Sequence, residues 1–386
     1  MTTLSHRSAV EPFHAMDILA EATRRRDAGF PVISMAVGQP SHPAPKAALQ
    51  AARAALEHGR LGYTDALGTL SLRTAIAEHY RRHYDVSVDP RRIAVTTGSS
   101  AGFNLAFLAL FDPGDRVAIA RPGYPAYRNI LAALGLDVVE VDADASNGFT
   151  LTPQGLAEAE KRAGGPIRGV LLASPANPTG TVTGRAQLQA LADYCADKDI
   201  AFISDEIYHG LTFVGEETTA LAVTDAAVVI NSFSKYYCMT GWRIGWMVLP
   251  EDKVRGFERI AQSLYISPPE LSQIAAEAAL GASAELEVYK ESYAVNRALL
   301  LKRLPELGFT IASPMDGAFY AYVDAGRFTN DSMAFAHRML AEIDVAATPG
   351  RDFDPIEGHR AMRFSYAGAP ADIETAIERM AGWLKS

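Results

Sequence analysis

Ile93-Ala94-Val95-Thr96-Thr97-Gly98-Ser99-Ser100-Ala101-Gly102-Phe103, with the apolar stretch behind it to Phe111, reads as strand, glycine turn and helix in immediate succession. Four apolar or β-branched residues suit a buried strand, and the segment from Ser100 to Phe111 is long enough for about three helical turns. The same unit recurs downstream. Val117-Ala118-Ile119 follows the turn Asp112-Pro113-Gly114-Asp115, and a helical stretch runs from Tyr124 to Leu134. Further apolar runs lie at Val138 to Val141, Val170 to Ala173, Ala201 to Ser204 and Val228 to Asn231. Strands alternating with helices predict a mainly parallel sheet covered on both faces, a three-layer α/β arrangement. Such sheets take ligands at the carboxyl ends of their strands, so the residues just after each run are the candidates for function.

On the N-terminal side, Arg53 to Arg82 is helix-prone and broken by Gly59, Gly62 and Gly68. On the C-terminal side, Ser267-Pro268-Pro269-Glu270 has the form of a capping box with proline in the first turn. It predicts a long helix to about Leu304, with a break near Gly281. Short strands then fall at Phe309 to Ile311, Ala318 to Val323 and Met362 to Phe364, between two helices. This predicts a smaller α+β domain joined by the N-terminal segment, so that residues 46–280 form the large domain and 1–45 with 281–386 the small one.

Composition sets outer bounds. A length of 386 residues suits two or three domains, and 48% hydrophobic with 21% charged residues excludes a largely disordered chain. With 36 basic against 45 acidic side chains, no nucleic-acid-coating or anionic-membrane surface is expected. Two cysteines, Cys195 and Cys238, cannot build a disulfide framework or a four-cysteine metal site. No apolar stretch approaches the ~18 residues of a bilayer span. Met1 to Val10 lacks an apolar core and a cleavage pattern, so a cytoplasmic protein is expected.

Three short motifs compete for attention. Gly98-Ser99-Ser100-Ala101-Gly102 matches a nucleophile elbow, but the helix-rich first ninety or so residues lack the strands that should precede one. Ser232-Phe233-Ser234-Lys235 matches the S-x-x-K of penicillin-binding enzymes without the K-T-G that should follow. His79 and His83 have metal-ligand spacing on a helix, yet Tyr80-Arg81-Arg82 between them supplies no glutamate, so a solvated basic face is expected.

The strand ends carry a more coherent set. Gly98, Ser99 and Ser100 offer N–H groups and hydroxyls where a helix begins, which suits an anion. Ser232, Ser234 and Lys235 follow another run, with Arg243 eight positions on in Thr240-Gly241-Trp242-Arg243. Two hydroxyls, an amine and a guanidinium suggest a phosphate beside a reactive lysine. Asp205 closes a run, with Ile207 and Tyr208 behind it; Asn177 stands in Ser174-Pro175-Ala176-Asn177-Pro178-Thr179-Gly180, and Tyr124 in Pro122-Gly123-Tyr124-Pro125. Singly, each is a turn, a cap or a surface residue. Their ordered recurrence at successive strand ends is what carries weight.

With these residues in place the chain resembles the class I/II aminotransferases, the fold-type-I family that uses pyridoxal 5′-phosphate. The resemblance runs from Val37-Gly38-Gln39-Pro40 to Arg363-Phe364-Ser365-Tyr366 and is most specific at Ser232–Lys235 with Thr240-Gly241-Trp242-Arg243-Ile244-Gly245. It implies that Lys235 forms the Schiff base with the cofactor and that Asp205 faces the pyridinium nitrogen. Asn177 and Tyr208 would meet the phenolic oxygen, Tyr124 and Ile207 the two faces of the ring. Gly98, Ser99, Ser100, Ser232, Ser234 and Arg243 would cup the phosphate. Arg363 would grip the substrate α-carboxylate, with Gly38 and Asn177 beside it. Tyr63, in Tyr63-Thr64-Asp65-Ala66-Leu67-Gly68, matches a tyrosine lent across a homodimer interface, and segments near Phe13 to Leu19 and Leu264 to Ser267 would border the side-chain pocket. The implied reaction moves the α-amino group of an amino acid to a 2-oxo acid, with Lys235, Asp205 and Tyr208 catalytic and no metal required. A β-lyase or another Cα-carbanion enzyme on the same scaffold is the alternative, because fold and cofactor do not fix reaction type. A cofactor-binding regulator is disfavoured, since no separate DNA-binding domain precedes the core.

Overall fold

The structure, a computed structural model, describes residues 3–385; Met1 and Thr2, part of the leading stretch read above, and Ser386 lie outside them. In chain order, α1 (His14–Asp27) leads to β1 (Ile33–Ser34), α2 (Lys46–Glu57) and α3 (Leu70–Tyr84). Then β2 (Ile93–Thr96), α4 (Ser99–Leu110), β3 (Arg116–Arg121), α5 (Pro125–Leu134), β4 (Asp137–Asp142), α6 (Pro153–Ala163), β5 (Gly169–Ala173), α7 (Arg185–Asp197) and β6 (Ala201–Asp205) alternate. β7 (Val228–Ser232) and β8 (Gly245–Val248) follow, then α8 (Val254–Leu264), α9 (Glu270–Ala279) and α10 (Ser283–Leu307). The chain closes with β9 (Thr310–Ile311), β10 (Tyr320–Asp324), α11 (Ser332–Ile343), β11 (Val345–Ala346), β12 (Thr348–Pro349), β13 (Ala361–Ser365) and α12 (Pro370–Trp383).

Seven strands form one sheet in the order β2-β8-β7-β6-β5-β3-β4. All pairs but those of β8 are parallel. β8 runs antiparallel between β7 and β2, so its first residues lie at the same edge where its neighbours end. That strand was not anticipated from the sequence. Nor does a helix cover the link from β6 to β7, where one short turn at Ala220–Ala222 replaces it. Side chains leave the central strands alternately for two cores: Val170, Leu172, Phe202 and Val229 for one, Leu171, Ile203 and Ile230 for the other. Both faces being covered explains the unbroken apolar runs.

The smaller unit has a four-stranded antiparallel sheet, β12-β13-β10-β9, and a two-stranded parallel pair, β1-β11. Its core gathers Phe319, Tyr320 and Phe364 with Ile18 and Ala22 of α1, and with Ile207, Tyr208 and Leu211 just past β6. The carboxyl edge of the large sheet therefore meets this second core.

Two local expectations are corrected. The capping box at Ser267–Glu270 does not form: Pro269 caps α9 without a side-chain bond. Instead the Ser267 hydroxyl accepts the Thr64 N–H at 3.3 Å and Glu270 accepts the Gly62 N–H at 2.6 Å. The two side chains clamp a distant segment, and the run of prolines starts the helix unaided. His79 is not on a solvated face. It is buried against Tyr80, Tyr84 and Trp246, and burial lowers its pKa to about 3. Only His83 of the pair is exposed.

Candidate active site

The edge residues come together because the strands end level. Ala173, Asp205 and Ile230 are side by side in register across β5, β6 and β7. Beyond those ends lies a cavity of about 240 Å³, whose lining includes Ser99, Ser100, Tyr124, Asn177, Ile207, Tyr208, Ser234, Lys235, Arg243, Gly38 and Arg363. Gly98, Ser232 and Asp205 are not among its lining residues. Gly98 has a left-handed backbone, and a Cβ there would collide with the Arg243 guanidinium, so glycine lets the arginine lie against the start of α4. Arg243 itself is left-handed at φ 50° and donates to the Thr240 carbonyl at 3.0 Å. Ser232 supports Ser234: their hydroxyls are 2.9 Å apart, and the Ser234 N–H donates to the Ser232 oxygen at 3.0 Å.

Asp205 is held by two donors. The Tyr127 hydroxyl donates to one carboxylate oxygen and the Ile207 N–H donates to the other at 3.1 Å. Burial nevertheless pushes Asp205 up to about 7. Lys235 donates to the Gly38 carbonyl at 2.7 Å. Burial first, then the nearby positive charges of Arg363 and Arg243, lower its pKa to about 8. A buried amine this close to neutral is available as a base or nucleophile.

Arg363, on β13, is buried and laid against aromatic rings, its guanidinium carbon 4.2 Å from the Tyr320 centroid and 4.6 Å from that of Phe353. It donates to Asn177 Oδ1 at 2.9 Å, to Thr348 at 3.2 Å and to the Ala36 carbonyl, while its Nε has no partner. With Oδ1 engaged, Asn177 keeps its amide N–H groups for the cavity. Among the described residues, neither Lys235, Arg243 nor Arg363 forms an ion pair with a carboxylate. Three cationic side chains thus line one cavity unpaired, in a chain of net charge −9. Arg363 is buried, Lys235 half-buried and Arg243 exposed, and like charges gathered this closely repel one another until anions arrive.

Other lining residues escaped the sequence reading. Tyr127 and Tyr320 are the main ones, joined by Phe103, Ile130, Gln39 and Thr240. Tyr127 falls three residues after Tyr124 at the start of α5, a spacing that could have flagged it; Tyr320 has no local signal. Of the two segments expected to border the side-chain pocket, the first contributes Phe13, Ala15 and Met16. The Asp352 carboxylate holds them in place by accepting the His14 and Ala15 N–H groups at 3.0 and 2.7 Å. Residues 264–267 do not line the cavity. Tyr63 does not line it either. It is 84% exposed, on a segment clamped to α9 by Ser267, Glu270 and Gln273, whose amide donates to Thr64 at 3.0 Å. Leu61, Leu264 and Ile266 are exposed on the two sides of the same clamp. No group of three or more His, Cys, Asp or Glu side chains among the described residues is placed to hold a metal ion.

Comparison with known proteins agrees with this geometry. The profile of aminotransferase class I and II matches residues 31–380. The chain is 49% identical over 385 residues to a valine–pyruvate aminotransferase of Mycobacterium tuberculosis, covering 98% of each chain. It is 33% identical to an arginine–pyruvate transaminase of Pseudomonas aeruginosa, over 98% of this chain and 96% of the other. Among solved structures, an aminotransferase from Mycobacterium tuberculosis superposes with a TM-score of 0.95 at 47% identity, covering 100% of both chains. Aspartate aminotransferase from Thermus thermophilus with maleate gives 0.91 at 33%, covering 99% of this chain and 100% of that one. The chain belongs to the class I and II aminotransferases and is a fold-type-I transaminase, moving an amino group between an amino acid and a 2-oxo acid.

Proposed function

We propose that this aminotransferase works on pyridoxal 5′-phosphate bound at the carboxyl edge of the seven-stranded sheet and takes amino donors with apolar side chains. The observation that carries the reading is the set of three unpaired cations, Lys235, Arg243 and Arg363, in one cavity. A phosphate near Arg243 and a carboxylate at Arg363 would satisfy two of them. The donor set fits the cofactor: Gly98 leaves room at the start of α4, Ser99, Ser100 and Ser234 supply hydroxyls, and the orphaned Nε of Arg363 awaits an acceptor.

When bound, the cofactor supplies the electron sink for a carbanion at the substrate Cα. The chain does the rest. Arg363, its plane set by the rings against it, orients the α-carboxylate. Lys235 would anchor the cofactor and hold or move the substrate's Cα proton through Nζ; its lowered pKa leaves enough free amine near neutral pH for that role. The Asp205 carboxylate, supported by Tyr127 and Ile207 although burial pushes it up to about 7, would face the ring nitrogen and favour its protonated form. Tyr208 and the Asn177 amide would donate to the phenolic oxygen. Tyr124 and Ile207 would cover the ring, and Gly38 would flank the carboxylate.

Phe13, Met16, Phe103 and Ile130 give the wall an apolar stretch beside Gln39 and Thr240, and no further cationic side chain lines it among the described residues. An apolar donor with one carboxylate suits this wall, in keeping with the valine–pyruvate relative. We read residues 46–280 as the cofactor-binding domain and 1–45 with 281–386 as the small one. We also read the working unit as a cytoplasmic homodimer in which Tyr63 reaches the partner's phosphate; no helix among the described residues could cross a membrane. A panel of donors with pyruvate and 2-oxoglutarate tests the assignment. Valine-like donors should transfer their amino group to an acceptor, with aspartate the poorest. A preference for aspartate would overturn the apolar assignment, and release of ammonia with pyruvate from β-substituted donors would favour the lyase.

A further inference from the structure

Tyr320 enters the chemistry above only through the ring that lies against Arg363, yet it touches both halves of the site. It opens β10, is buried, and its hydroxyl lies 2.7 Å from that of Tyr208. Its ring lies 4.2 Å from the Arg363 guanidinium carbon. A Cβ at Gly38 would collide with the Tyr320 hydroxyl, so the backbone that receives Lys235 also lacks a side chain where this hydroxyl enters. Burial raises the pKa of both tyrosines, so both keep their protons at working pH.

Either hydroxyl of the pair can donate to the other, and the surroundings decide which does. A phenolate oxygen on the cofactor has no proton to give. Tyr208 can serve it only as donor, with its single proton. The hydrogen bond between the tyrosines must then use the proton of Tyr320, and a hydroxyl that accepts one hydrogen bond donates a stronger one. We propose that Tyr320 is a positioning residue whose hydroxyl donates to Tyr208, strengthening the bond from Tyr208 to the cofactor's phenolic oxygen, while its ring fixes the plane of Arg363. The proposal rests on the reading of Tyr208 given above.

The test is a double-mutant cycle on the holoenzyme loaded with pyridoxal phosphate, reading the pH midpoint of its visible absorption. A donor to the phenolic oxygen favours the form whose negative oxygen shares no proton, so weakening it raises the midpoint. Tyr208→Phe should raise it by roughly one unit and Tyr320→Phe by roughly half a unit, with the ring and its contact to Arg363 kept. In the Tyr208→Phe background, Tyr320→Phe should add nothing. An equal shift in both backgrounds, or none from Tyr320→Phe when Tyr208→Phe shifts, would overturn the relay. No shift from Tyr208→Phe would instead remove the reading on which the relay rests. The ring is tested by Tyr320→Leu, which should raise KM for the donor several-fold beyond that of Tyr320→Phe; equal KM values would reject it. Unchanged near-ultraviolet dichroism and thermal midpoints identify variants folded well enough to count.

Discussion

The two halves of the cavity are built on different principles. One half is the edge of the large sheet, where Ser99, Tyr124, Asn177, Tyr208, Ser234 and Lys235 all follow strand ends at short range. The other is a wrap from the N-terminal segment and the small sheet. Its contacts bridge long stretches of chain: Lys235 to Gly38 spans 197 positions, Arg363 to Asn177 spans 186, and Asp352 to Ala15 spans 337. The edge is as stiff as the sheet that sets its register. Its groups are therefore suited to chemistry common to every donor. The wrap can change side chains without disturbing a strand, which suits it to telling donors apart.

If that division holds, edge substitutions should lower turnover for all donors alike and wrap substitutions should reorder them. The largest effect belongs to Lys235→Ala, which should lower kcat by on the order of 10⁴ for every donor. Residual turnover within tenfold of wild type would place the base elsewhere. Asp205→Asn should follow, with a barrier raised by roughly 3–5 kcal/mol while cofactor remains bound. Its effect on the cofactor-free protein should have the opposite sign. Asp205 titrates near about 7 when folded, against 3.8 as the ordinary value. The folded chain thus binds more protons between those limits, and wild type loses stability as pH rises through that window. Asparagine cannot ionise, so the variant's melting temperature should gain on wild type from about pH 4 to 7 and stay level above. A difference that does not vary with pH would contradict the buried charge.

Arg363→Lys is the exception within the wrap, because every donor carries the α-carboxylate it is read to grip, so its loss should fall on all donors alike. A lysine cannot present a fork or lie flat against Tyr320 and Phe353, so kcat/KM should fall by roughly 10–100-fold, chiefly through KM. Smaller still is Met16→Ala. Met16 is half exposed, so only part of its side chain meets the donor, and kcat/KM for large apolar donors should fall by roughly three- to tenfold while small donors change less. A uniform loss across donors would erase the distinction between edge and wrap. Last, capture of pyridoxal phosphate by the cofactor-free protein should speed up as pH rises and level off above about 8, where Lys235 loses its proton. A rise continuing to an ordinary lysine value would show an amine not tuned by burial.

The same division explains what the sequence disclosed. Apolar runs ending in Asp205, or in Ser232 with Lys235 behind it, announce both a strand and the polar group at its end, because the spacing is local. Tyr320 follows Gly317-Ala318-Phe319 with nothing nearby to mark its hydroxyl; only the fold brings it to Tyr208, 112 positions away. β8 was hidden for a related reason. Gly245-Trp246-Met247-Val248 is short, and its antiparallel direction depends on two neighbours rather than on its own residues. Ser267 and Glu270 misled in the opposite way. They have the spacing of a helix cap, but the backbone groups they accept belong to residues 62 and 64.

That clamp has a consequence for assembly. Immobilising a free three-residue loop takes roughly 3–6 kcal/mol of backbone entropy, at about 1–2 per residue. In the dimer proposed above, a slack arm carrying Tyr63 would draw that sum from the affinity between subunits. Here Ser267, Glu270 and Gln273 fix the arm within its own chain, so folding has already met it. Two subunits then dock as preformed surfaces, and loosening the clamp, by Glu270→Ala for example, should weaken the dimer while leaving each subunit's fold intact.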